Sequence, residues 1–173
     1  DKCRLFVWLK DTSEVINGHL YKKDLQGTYW DMNAWMKNLT KEGDVIFPNG
    51  KKPEFLIKQI LEMTTSENDI VLDSFLGSGT TVATAHKLGR RWIGIELGEH
   101  AYTHCKVRID NVIDGEQGGI SKEVNWQGGG GYKFYELAEP LLTKKSMLPI
   151  YQLNPSYTWD MVCEAICKIE GFT

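Results

Sequence analysis

Apolar positions along this chain follow two rhythms, and the sharpest switch between them lies from Asp69 to Glu96. Ile70, Val71 and Leu72 form an unbroken apolar run ending on Asp73, the pattern of a short strand buried in a parallel sheet. Phe75 to Thr81 (FLGSGTT) reads as a turn, in which Gly77 and Gly79 can take positive φ and admit a ligand to bare backbone. The spacing then becomes helical: Val82, Ala85 and Leu88 share a face, and Gly89 is placed to end the helix. Arg91 to Glu96 (RWIGIE) returns as a second strand, again finishing on an acid. This is one βαβ unit, expected to carry its ligand at the carboxyl ends of its strands.

The same rhythms divide the rest. Arg4 to Leu9 reads as a strand, and Asp11 to Gly27 as loop with a short strand at His19 to Lys22. Phe47 to Pro53 (FPNGKKP) is a turn that sets Pro53 at the first position of a helix, where Leu56, Ile60 and Met63 share a face with Ile57 and Leu61 beside them. A further helix starts at Glu99 and keeps Ala101, Cys105, Ile109 and Val112 in register. Four consecutive glycines, 128–131, require a tight bend or a close approach, and Tyr132 to Leu137 is expected to return as a strand. Trp159 to Ile169 reads as a last helix with Met161, Ala165 and Ile169 on one face.

Composition changes this picture little. At 173 residues and 42% apolar, the chain can hold one domain with a real core. Its net charge of −3 gives no general pull towards nucleic acid, so such contacts would rest on local pairs: Lys22-Lys23, Lys51-Lys52, Arg90-Arg91 and Lys144-Lys145. Aromatics between Tyr29 and Trp35 could stack on bases, though buried packing is their commoner fate. The cysteines (Cys3, Cys105, Cys163, Cys167) form no C-x-x-C pair, and Cys163 with Cys167 suits helix packing better than metal. His100 and His104 lie one helical turn apart but lack a third ligand. No apolar run approaches the ~20 residues of a membrane span, and a reduced cytoplasmic setting is the expectation.

The turn itself narrows the ligand. Thr80 and Thr81 stand where a triphosphate-binding loop carries lysine. Val82 stands where a dinucleotide fingerprint carries its third glycine. Glu96, however, lies 19 residues after Gly77, close to the offset of about 20 at which a carboxylate takes ribose hydroxyls. A nucleoside with no strict need of phosphate fits, and S-adenosylmethionine is one.

Asp73 to Thr81 (DSFLGSGTT) resembles the D-x-F-x-G-S-G-T-T motif of amino-methylating DNA methyltransferases, and Gly89 to Glu96 (GRRWIGIE) the motif that follows it. Within that group, Gly115 to Lys122 and Trp126 to Tyr132 are similar to the modification subunit of type III restriction-modification systems. The resemblance implies a Rossmann-like, doubly wound, mostly parallel α/β methyltransferase fold, present here in part, with a C-terminal α+β extension. It divides the chain into the end of a target-recognition or linker region (1–46), a cofactor-binding core (47–114), and a glycine-rich hairpin with a helical extension (115–173). It assigns S-adenosylmethionine contacts to Lys52, Pro53, Asp73, Phe75, Gly77, Ser78, Gly79, Thr80, Thr81, Glu96 and Leu97, with no metal. It also implies site-specific adenine N6 methylation of double-stranded DNA, a homodimer and a restriction subunit as partner.

The family's catalytic tetrapeptide, D/N/S-P-P-Y/F/W, is approached by Asn154-Pro155-Ser156-Tyr157, where serine replaces the second proline and the position is too late for the subgroup's motif order. A turn leading into the last helix is the reading adopted, so no catalytic residue is assigned. Two other functions stay open on the residues: a nicotinamide-dependent oxidoreductase module, and a non-catalytic DNA-binding or assembly subunit.

Overall fold

The computed structural model describes residues 9–23, 27–37, 39–144 and 150–172. The strand expected at Arg4 to Leu9 lies outside them except for Leu9, as do Cys3 and Lys145. The chain divides into two compact units, 1–130 and 131–173.

The first unit opens on a helical turn, α1 (Leu9–Thr12), and an antiparallel hairpin of β1 (Ser13–Ile16) and β2 (His19–Lys22). Asn17 and Gly18 both take positive φ between the strands, which is the backbone a two-residue hairpin turn needs. A kinked turn, Leu39–Asp44, then leads to helix α2 (Glu54–Thr64). Pro53 is the residue before this helix rather than its first, and the first amide, that of Glu54, is capped at 3.1 Å by the distant Glu42 carboxylate.

The predicted βαβ unit follows as β3 (Ile70–Asp73), α3 (Thr80–Lys87) and β4 (Arg91–Gly94). The strands are parallel, with Ile70 opposite Arg91 and Asp73 opposite Gly94. Ala83, Thr84 and Ala85 are fully buried, and such small side chains let α3 lie close to its neighbours on several sides. Leu61, Val71 and Ala85 make one apolar core cluster, with Ile57, Leu88 and Trp92 packed on it, and Val82, Ile109, Val112 and Ile120 are buried besides.

That core covers one face of the strand pair. On the other, Ile70, Leu72, Ile93 and Ile95 are each 51–60% exposed. The apolar run of β3 predicts cover on both faces, and the described residues supply it on one. Helix α2 likewise turns Ile57 and Leu61 inward and leaves Ile60 and Met63 exposed, so the expected Leu56–Ile60–Met63 stripe is not its buried face.

A π-helical turn, Ala101–Lys106, runs into α4 (Val107–Ile113) and buries Cys105, Ile109 and Val112 as the spacing predicts. The glycine run does make a close approach: a side chain at Gly128 would stand 2.6 Å from the Ile113 carbonyl. His86 pins the same loop, its Nε2 lying 2.9 Å from the Gly129 carbonyl while Nδ1 accepts from the Trp92 indole.

In the second unit, 132–137 carries no strand; the pair observed is β5 (Leu142–Lys144) with β6 (Tyr151–Leu153), antiparallel. Helix α5 (Trp159–Glu170) buries Val162, while Met161 and Ile169, expected on its inner face, are exposed.

Buried ion pairs join the helices of the first unit. Glu54 is wholly buried; its carboxylate takes Lys87 of α3 at 2.8 Å, Arg108 of α4 at 2.9 Å and the Ile120 amide at 3.1 Å. Lys87 also meets Glu116, and Arg108 meets Glu42 at 3.1 Å. Burial alone would raise the Glu54 pKa, but Arg108 and Lys87 outweigh it and hold the carboxyl below its ordinary value.

Removing one member of such a cluster strands the others without a partner. Glu54→Ala should therefore cost about 3–5 kcal/mol in urea unfolding, whereas Glu164→Ala, which breaks an exposed pair with Lys168, should leave the midpoint unchanged.

Candidate functional site

The site is built where β3 and β4 end together. Asp73 closes β3, and its Oδ1 accepts from the Phe75 amide at 3.1 Å, starting the turn. Leu76 N donates to the Ile95 carbonyl at 3.0 Å, which bends the turn back over the end of β4. Glu96 then completes the ring: Oε2 accepts from Gly77 N at 2.6 Å, and Oε1 from Leu97 N at 3.0 Å and Gly98 N at 3.4 Å.

The hydrogen bond from Gly77 is the main reason the Glu96 carboxyl sits below its usual pKa, and the Gly98 and Leu97 amides add to it against a modest penalty from burial. A carboxylate offers about four lone-pair sites. Three amides occupy three, the weakest at 3.4 Å, so a ligand hydroxyl has one position open and a second within reach on displacing the Gly98 amide.

Each of the two acids has an exposed apolar side chain close to it in the chain. Phe75 is 90% exposed and Leu97 fully exposed, beside two acids at the strand ends. Gly77 and Gly79 take φ of +57° and +77°, as the turn predicts. Gly79 is also the residue before α3, and a side chain there would press within 3.2 Å of the Cys105 backbone.

Ser78 and Thr80 differ from their neighbours. Both side chains are buried and their hydroxyls lie 3.0 Å apart, with Arg108 donating to Thr80 Oγ1 at 2.8 Å. They are engaged inside the protein. Thr81 is half-buried at the start of α3.

Lys52 and Pro53 stand on a separate element. Lys52 is exposed and bonds its own turn at Gly50, while the buried Pro53 precedes α2. No described contact joins either to Asp73 or Glu96. Of the Lys51-Lys52 pair, Lys51 is the one built into the fold: it is buried and donates to the carbonyls of Thr40, Glu42 and Val45. Burial, then the Arg108 charge, lowers its pKa to about 8.

The other candidates take up ring contacts, turns or exposed positions. Phe47 meets the rings of His100 and His104 edge-on at 5.4 and 5.1 Å, and the described residues contain no group of three metal-ligating side chains. Trp35 stacks on Phe55 at 3.8 Å, while Tyr29 stays exposed. Asn154 accepts from Ser156 N and Oγ within its own turn and donates to the carbonyl of Pro140, fourteen residues earlier. No helix among the described residues is long and apolar enough to cross a membrane.

The residues the motifs did not single out are Glu42, Glu54 and Arg108, which hold the turn from behind. Glu54 directly follows Lys52-Pro53, and only a charge falling on the inward side of α2 could have marked it.

Residues 10–106 match a family model described as DNA methylase, for N6 and N4 methylation. The chain is 50% identical over 135 residues to a probable type III restriction-modification enzyme Mod subunit, HindVI, of Haemophilus influenzae, covering 78% of this chain and 18% of that protein. It is 39% identical over 121 residues to the type II methyltransferase M2.DpnII of Streptococcus pneumoniae and 31% over 120 to M2.LlaDCHI of Lactococcus lactis; each match covers 62% of this chain and 45% of the relative. The chain thus spans less than half the length of these relatives. A solved structure, the M1.HpyAVI–SAM complex, aligns over 56% of this chain and 42% of its own at 27% identity with a TM-score of 0.34.

Two outcomes follow from the local chemistry. Burial and the Glu96 charge push the Cys105 thiol up to about 12, and Sγ donates to the Gly77 carbonyl. At pH 8 iodoacetamide should modify the exposed Cys163 and Cys167 but spare Cys105 until the chain is denatured, as read by peptide mass spectrometry.

Glu96 has a folded pKa below the ordinary 4.5, so the stabilisation it brings is complete above that value and lost as pH falls through the folded one. Urea unfolding of wild type and Glu96→Gln, followed from about pH 7 to about pH 3, should differ most at neutral pH and converge in acid.

Proposed function

Because the chain belongs to the DNA methylase family, we propose that it is the cofactor-binding part of an S-adenosylmethionine-dependent, site-specific DNA adenine N6-methyltransferase of a type III restriction-modification system. The observation that carries this reading is the meeting of Asp73, Glu96 and the left-handed Gly77 and Gly79 at the ends of two parallel strands, flanked by bare Phe75 and Leu97.

The residues present fit the cofactor. Glu96 has lone-pair capacity for ribose hydroxyls, and Phe75 and Leu97 offer apolar surface that an adenine ring would cover. Asp73 adds a second acceptor, suited to the cationic methionine end. The turn has no lysine among its own residues and asks for no phosphate. When bound, the cofactor supplies an activated methyl group. The chain's own share is to bind and orient that one reactant, while the transfer also needs the target amine held in line with it.

Lys52 and Pro53, Ser78, Thr80 and Thr81 complete the proposed cofactor set, the last three by shaping the turn. The chain contains no D/N-P-P-Y tetrapeptide. The groups that accept the target amine are therefore assigned to the rest of a longer polypeptide, and the chain alone should bind without methylating. The bare face of β3 and β4 fits a doubly wound sheet whose remaining layers come from that polypeptide. Residues 1–46, 47–114 and 115–173 are then the end of the recognition region, the cofactor core and the C-terminal extension. Double-stranded DNA as substrate, a homodimer, a restriction subunit as partner and a cytoplasmic setting complete the proposal.

Titration calorimetry tests it. The folded chain should bind S-adenosylhomocysteine and not NAD, and Glu96→Ala should weaken binding about tenfold or more. Binding of NAD in preference would establish the oxidoreductase alternative, and binding of neither the assembly subunit.

A further inference from the structure

Arg108 sits behind the cofactor turn with no solvent exposure, and its two terminal nitrogens divide their work. Nη2 donates to Glu54 at 2.9 Å and to Glu42 at 3.1 Å. Nη1 donates to the Thr80 hydroxyl at 2.8 Å and lies 3.4 Å from the Ser78 carbonyl. The arginine stem also packs on the turn, since a side chain at Gly79 would meet its Cδ at 3.5 Å.

A planar guanidinium holds its donors in a fixed fork, so anchoring one side fixes the other. Glu54 and Glu42 are themselves fixed, the first by Lys87 and the Ile120 amide, the second by capping α2. The turn from Ser78 to Thr80 thus takes its position from α2 and α4, neither of which contributes to the strand ends where the ligand is proposed to lie.

We propose that Arg108 is the positioning residue of the cofactor turn, holding Ser78 and Thr80 by one edge of its guanidinium while Glu54 and Glu42 hold the other. Through it the backbone of Gly77 and Gly79 is kept in the left-handed conformation that presents the turn to the nucleoside before it arrives. This rests on the cofactor reading above. Arg108 touches no ligand; its effect passes through the turn.

The test compares Arg108→Lys, Thr80→Val and Thr80→Ser with wild type. Lysine keeps a charge for Glu54 but cannot span Glu54 and Thr80 together; valine keeps the shape of Thr80 without its hydroxyl; serine restores the hydroxyl. Affinity for S-adenosylhomocysteine is read by calorimetry at a temperature where circular dichroism shows each variant folded, with amide exchange at Gly77 and Gly79 read without ligand.

Arg108→Lys and Thr80→Val should bind about tenfold more weakly and exchange faster in the turn, with Thr80→Ser close to wild type. If Arg108→Lys does not fold, the Thr80 pair decides alone. Lower melting temperatures with unchanged affinity and exchange would make Arg108 a stabilising residue only and overturn the inference. A wild-type chain that binds no S-adenosylhomocysteine would overturn the cofactor reading, and this inference with it.

Discussion

The wholly buried carboxylate of Glu54 ties α2 to α3, to α4 and to the segment at Ile120. A lone charge in that position is untenable, because desolvation would cost several kcal/mol. The fold answers with two cations from two different helices, Lys87 and Arg108, and one backbone amide. Each partner brings its own element: Lys87 fixes α3, Arg108 fixes α4, and Ile120 fixes the glycine-rich loop that follows. Buried apolar side chains supply the rest of the packing, Leu61, Val71 and Ala85 in one cluster and Val82, Ile109, Val112 and Ile120 besides, while the charge cluster links α2, α3 and α4 at defined points.

The consequence for the site is geometric. The turn between β3 and α3 is pulled from two sides, by Glu96 in front through the Gly77 amide and by Arg108 behind through Thr80. Cys105 adds a third tie at the Gly77 carbonyl. A glycine-rich turn would otherwise be free to sample many backbone states, and each tie removes some of that freedom before a ligand binds. The two acids at the strand ends can then act on a loop whose shape is already set.

Much of this was legible in the residues. Strand, turn, helix and strand from Ile70 to Gly94 were readable because apolar period, glycines and closing acids all agree there. The close approach made by the glycine run was readable for the same kind of reason. What sequence concealed was long-range. The Glu54–Arg108 pair spans 54 positions and leaves no local mark. Helices α2 and α5 each carry more apolar residues than they bury, so periodicity offered several faces, and packing chose Leu61 and Val162 over Met63 and Met161. Strand β1 falls where a loop is expected, although Asn17-Gly18 is a strong hairpin signal, because polar residues around it obscure the alternation. Tyr132 to Leu137 has strand-forming residues but no partner strand among the described residues.

The central claim, that the strand ends of β3 and β4 form a preset nucleoside site, is most directly tested by nuclear magnetic resonance of the isotope-labelled chain titrated with S-adenosylhomocysteine. The account predicts amide shift changes concentrated at 73–81 and 96–98, with the Trp35–Phe55 stack and the second unit unmoved. Changes centred on Trp35 and Phe55, or spread evenly with none at Gly77 and Leu97, would contradict it.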